Sequence, residues 1–104
     1  MTVAGEPSAP DLESVDVLTV LRALADPVRL EMVRQLAGCV DPDGVQCHRI
    51  ELPVTKSTAS HHLKTLLKAG ITAEREAGTS KFIRLRREEL DRRFPGLIES
   101  VLQS

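Results

Sequence analysis

The stretch Thr55–Gly70, TKSTASHHLKTLLKAG, constrains this chain more than any other. Ala59, Leu63, Leu66 and Leu67 fall at helical spacing and form one continuous apolar stripe. Thr55 is placed to cap the first turn with its hydroxyl, and Gly70 offers a left-handed stop. The opposite face carries Lys56, Ser57, Ser60, His61, Lys64 and Lys68, with no acidic residue in all sixteen positions. An ordinary amphipathic surface helix would mix in Glu and Asp. Short Ser and Thr side chains instead let a backbone approach base edges, and Lys reaches phosphates. The expectation is a helix that enters the DNA major groove.

Charge is divided along the chain. The formal net charge of −1 hides a balance of −5 over residues 1–55, +6 over 56–87 and −2 over 88–104. A polyanion would therefore meet the middle third. With 104 residues, the chain is expected to form a leader over 1–12 and one domain over 13–104. No apolar run suggests a membrane span or a secretory signal, so no membrane partner and a cytoplasmic location are expected. Two aromatics, Phe82 and Phe94, are too few for a base-stacking platform that binds single strands.

Around the central helix, the sequence sets out other elements. A first helix from about Ser14 to Ala25 would present Val17, Leu18, Leu21, Leu24 and Ala25, a face wider than a small core needs. Asp26-Pro27 restarts the chain as a second helix to Ala37, burying Leu30, Val33, Leu36 and Ala37. A turn-rich loop follows; its Asp41, Asp43 and Gly44 lack the remaining ligands of a calcium loop. A short third helix is expected over Gln46–Leu52, so that helix, turn and donor-rich helix make a helix-turn-helix. Ile71–Glu76 and Lys81–Arg86 would pair as a hairpin around Ala77-Gly78-Thr79. That hairpin would bring Arg75 and Lys81 near a phosphate backbone, or merely cover the edge of the core. Pro95 interrupts the last apolar stripe and should give a kink there or two helices meeting at Phe94.

LRALADPVRLEMVRQLAG, LPVTKSTASHHLKTLLKAGI and EREAGTSKFIRLR together resemble the ArsR/SmtB family of bacterial winged-helix repressors. The resemblance covers about Leu18 to Arg87, and its two most specific elements are Ala25–Leu30 and Ser57–Lys64. It implies a mainly α winged helix-turn-helix of five to six helices with a two-stranded wing. It also implies a homodimeric repressor on an inverted-repeat operator, read by helix 55–69 and wing 71–86. Family DNA-reading positions fall on Ser57, Thr58, Ser60, His61 and Lys64, flanked by Lys56, with wing contacts from Arg75 through Thr79 and Ser80 to Lys81. The dimer seam would set Leu97, Ile98, Val101 and Leu102 against Val17 and Leu21 of the partner's first helix.

The family's metal-ligand sets are incomplete here. Gln46-Cys47-His48 supplies one thiol where a Cys-x-Cys is usual, and the last helix has no His or Cys. Cys39, Cys47 and His48 remain the candidate soft ligands, and Cys39 with Cys47 a candidate redox pair. Inert thiols are the favoured reading, so no cofactor is expected and any inducer is unknown. His61 and His62 are neighbours on different helix faces and do not chelate together. No nucleophile–base set or phosphate loop marks an enzyme. A winged helix used for protein contacts would need an apolar outer face on the donor-rich helix.

Overall fold

A computed structural model describes residues 10–39, 44–46 and 50–103. A 3₁₀ turn over Leu12–Ser14 leads into α1 (Val17–Leu24) and α2 (Pro27–Ala37). The chain continues through β1 (Val45–Gln46), α3 (Lys56–Lys68), β2 (Thr72–Ala77), β3 (Ser80–Leu85), α4 (Arg87–Arg93) and α5 (Leu97–Leu102). The architecture is a mainly α winged helix-turn-helix, with β2 and β3 as the wing.

Local chemistry sets the helix ends. α1 starts later than Ser14 because Asp16 is its cap, accepting from the Thr19 backbone N–H at 2.8 Å and hydroxyl at 2.9 Å. Asp26 accepts from the N–H groups of Val28 (2.8 Å) and Arg29 (3.1 Å), and Pro27 fills the first turn of α2. The Thr55 hydroxyl accepts from the Thr58 N–H at 3.3 Å. At the far end of α3, Gly70 lies at φ +80°, Ile71 N–H donates to Leu66 O and Gly70 N–H to Leu67 O, each at 3.0 Å. Those two bonds make a Schellman stop, with Leu66 and Ile71 both fully buried beside it.

β2 and β3 pair antiparallel from Thr72↔Leu85 to Ala77↔Ser80, turning at Gly78-Thr79. β1 joins the other edge of β3, pairing Val45 with Ile83 and Gln46 with Phe82. This corrects the helix expected over Gln46–Leu52: Gln46 is in a strand and Ile50–Leu52 is not helical. Residues 47–49 of that segment lie outside the described residues. The backbone finds partners elsewhere, so a helix is not needed to satisfy it. Gln35 of α2 donates from its side-chain amide to Glu51 O at 2.6 Å and accepts from Glu51 N–H at 3.1 Å. That amide copies a strand neighbour and holds the lead-in to α3 in an extended form.

The core gathers one face from every helix and the inner face of the sheet, centred on Met32, Val33, Leu66, Ile71, Ile83 and Leu90. Of the wide face expected on α1, Leu24 enters the core. The helix buries Val20 and Ala23 as well, and leaves Val17 (47%), Leu18 (50%) and Leu21 (43%) exposed. In α2, Met32 joins Val33 and Leu36 inside, while Leu30 and Ala37 are half-buried. Leu12, at the end of the expected leader, is buried as well. Arg86 donates to Pro10 O (2.7 Å) and Arg93 to Leu12 O (3.2 Å), which ties that turn to the C-terminal part. As expected from Pro95, α4 and α5 are separate helices meeting after Phe94.

Replacing Gln35 by Leu should release the strand-like clamp without emptying the core. Hydrogen exchange at the Glu51 amide should accelerate about tenfold or more, since a lost backbone partner exposes that N–H to solvent. Unchanged protection of Glu51 would contradict this account of the connector.

Candidate nucleic-acid interface

α3 has two distinct sides. Leu63 and Leu66 are buried, whereas Lys56, Ser57, Thr58, Ser60, His61, Lys64 and Lys68 are exposed. Its first turn holds no acidic residue, so no carboxylate there answers the partial positive charge of the helix start. Among the described residues, no ion pair occupies Lys56, Lys64 or Lys68. The exposed side therefore combines hydroxyl, imidazole and ammonium donors on a short rigid rod.

The wing tip shares a surface with the start of that rod. Lys56, Ala59 and Ser60 of α3 and Thr79, Ser80 and Lys81 of the wing line one open groove of about 660 Å³. Met32, Leu63, Ile50, Leu52 and Val54 supply its apolar lining, with Glu51 at the edge. Five of the residues expected from sequence thus border one cleft: Lys56, Ser60, Thr79, Ser80 and Lys81. Ser57, Thr58, His61 and Lys64 lie on the exposed side of α3 outside that lining. Arg75 does not line the groove either; its guanidinium lies 5.1 Å from the ring centre of Phe82, its cross-strand neighbour.

Folding uses part of the positive charge that the sequence places in the middle third. Arg84 bonds Glu89 at 2.9 Å and Arg86 lies 3.6 Å from the same carboxylate. Arg87 bonds Asp91 at 3.1 Å, and Lys81 stands 3.6 Å from Glu74. Burial pushes the Glu89 carboxyl up, but hydrogen bonds and charge from Arg84 and Arg86 outweigh it and hold it below its ordinary value. The effective cationic surface is accordingly smaller than the +6 balance and is concentrated on α3.

Sequence reasoning missed Gln35 and Arg29. The Arg29 side chain donates from Nε to Ala23 O at 2.6 Å and from one terminal nitrogen to Arg22 O at 3.4 Å. Its other terminal nitrogen lies 3.0 Å from His62 Nδ1, so α3 is joined to the end of α1. Arg29 was visible in sequence as part of the Ala25–Leu30 element, but nothing local names a partner thirty-three residues away. Of the candidate soft ligands, Cys47 and His48 lie outside the described residues. Cys39 is half-buried just beyond α2. No cluster of three or more His, Cys, Asp or Glu that could hold a metal occurs among the described residues.

Of the expected seam residues, Ile98 is fully buried within its own chain, which leaves it no surface for a partner. Leu97, Val101 and Leu102 pack on the core and keep part of their surface. No helix among the described residues is long and apolar enough to cross a membrane.

No protein-family model matches the chain. The chain is 33% identical over 84 residues to YceK of Bacillus subtilis (strain 168), an uncharacterized HTH-type transcriptional regulator. That alignment covers 79% of this chain and 82% of the relative.

The cap residues carry a pH signature. The Arg29 N–H bond, followed by the Val28 N–H and the Arg29 charge, outweighs desolvation and holds the Asp26 carboxyl below its ordinary value. A depressed carboxyl stabilises the fold above the unfolded value, about 3.9, and loses that contribution as pH falls through the lower folded value. Asp26→Asn keeps the acceptor and should match the parent's urea midpoint near neutrality while losing less stability below about pH 4. Asp26→Ala should lower the midpoint at every pH. Identical acid limbs for parent and Asp26→Asn would refute the assignment.

Proposed function

The chain belongs to the helix-turn-helix transcriptional regulators, and from that membership we propose that it is a homodimeric repressor of the ArsR type acting on double-stranded operator DNA. The observation that carries this reading is the exposed side of α3, which presents Ser57, Thr58, Ser60, His61 and Lys64 with no acid among them. Short hydroxyls and His61 suit base edges in the major groove, and Lys56 and Lys64 suit the flanking phosphates. Thr79, Ser80 and Lys81 border the same groove as the start of α3, which suits a wing resting on the adjoining backbone. Arg75 serves the wing by stacking on Phe82 and adds to the local positive field.

Two copies would read an inverted repeat, with half-sites about one helical turn apart. Support for a dimer comes from the apolar side chains of Val17, Leu18 and Leu21, which stand exposed on one short helix. Leu97, Val101 and Leu102 would complete that seam from the partner. The protein would work in the cytoplasm, respond to an inducer of unassigned chemistry, and carry out no chemical reaction of its own.

The test uses a duplex enriched by the purified protein from a randomised library. Affinity should fall steeply with salt, each phosphate contact adding about −0.9 to the log–log slope. Lys64→Ala should flatten that slope by about one contact and weaken all sequences alike, whereas Arg87→Ala, already paired with Asp91, should leave it unchanged. His61→Ala should cost roughly 1–3 kcal/mol of preference for the enriched duplex. A complex indifferent to salt, or equal effects of Lys64→Ala and Arg87→Ala, would contradict the proposal.

A further inference from the structure

We propose that Arg29 and His62 form a positioning latch that sets the rotation of α3 for base reading, an inference that rests on the DNA-binding function proposed above. Arg29 stands where three helices meet. Its backbone N–H is held by the Asp26 cap at 3.1 Å, which fixes it at the start of α2. Its Nε donates to the carbonyl of Ala23 (2.6 Å) in the last turn of α1, and one terminal nitrogen to that of Arg22 (3.4 Å), which also accepts the Ala25 N–H. The other terminal nitrogen reaches His62 Nδ1 at 3.0 Å, in the middle of α3. One planar guanidinium therefore references the central helix to both helices behind it.

The chemistry of the pair fixes more than distance. A guanidinium can only donate, so the bond requires Nδ1 of His62 to be the acceptor and places the ring proton on Nε2. Hydrophobic burial of Leu63 and Leu66 holds α3 against the core but has no preferred direction. A hydrogen bond does, and this one acts on the residue next to His61, which is exposed. Turning α3 about its axis would carry His61, Ser57 and Ser60 away from their bases together. Phosphate contacts from long lysines tolerate such a turn; base contacts do not.

The experiment compares the enriched duplex with a scrambled duplex of the same composition, using the full-length protein. Arg29→Met and His62→Phe should each reduce the preference for the enriched duplex about tenfold while leaving affinity for the scrambled one unchanged. His62→Asn places a carbonyl oxygen close to the position of Nδ1 and should retain the preference. A loss of folded protein would lower both affinities equally, so the ratio separates positioning from stability. Imidazole ¹⁵N spectra of the parent should show His62 protonated on Nε2 alone, and Arg29→Met should release that tautomer into a mixture. An Nδ1-protonated His62, or an enriched duplex whose preference survives both Arg29→Met and His62→Phe, would overturn the latch alone. A parent protein that enriches no duplex would overturn the latch and the DNA-binding function together.

Discussion

Burial of Leu63 and Leu66 from α3 is the interaction on which the rest of the molecule depends. With both side chains inside, the opposite side of a 13-residue helix must face solvent, and here that side carries donors without acids. The Schellman stop at Gly70 then returns the chain so that Ile71 buries beside Leu66. That return places β2 directly after the helix, and the hairpin bends back toward the start of α3. The shared groove of Lys56, Ser60, Thr79, Ser80 and Lys81 is the result. Core packing and surface chemistry are thus two consequences of one helical register.

Much of this was legible because the relevant signals are local. Caps at Asp26 and Thr55, the stop at Gly70, the hairpin tip around Gly78 and the break at Pro95 each act within a few residues of where they are written. The segment before α3 was not legible for the opposite reason. Seven residues are too few to separate a short helix from an extended run by periodicity, and the deciding partners, Ile83 and Phe82 of β3 with the Gln35 amide, are distant in sequence. The burial of Val20 and Ala23 on α1 was likewise hidden. Val17, Leu18 and Leu21 are as apolar as Val20 and Leu24, so hydropathy alone cannot choose which side faces the core of one chain.

The candidate site shows the same division between local and distant information. Donor identity and spacing on α3 could be read directly, and the structure leaves those side chains exposed. Counting charges could not reveal that Arg84 of β3 and Arg86 converge on Glu89 of α4 while Arg87 pairs with Asp91 within that helix, because a charge count gives the sign of a charge and not its partner. Gln35 and Arg29 look like ordinary polar positions of an amphipathic helix until their contacts are seen. Both act by hydrogen bonding to backbone or imidazole groups far along the chain, and both hold the segment or helix that carries the donors.

The most direct test of the account is to locate α3 on DNA by chemistry. In a Cys39→Ser, Cys47→Ser background, an iron–EDTA cleavage reagent attached at Ser57→Cys would sit at the start of the exposed face. Two cleavage clusters are expected on the enriched duplex, related by a dyad and about one helical turn apart. The same reagent at Thr79→Cys should cut just outside each cluster, where the wing rests. Uniform weak cleavage from Ser57→Cys, or one cluster with no symmetry mate, would contradict the account.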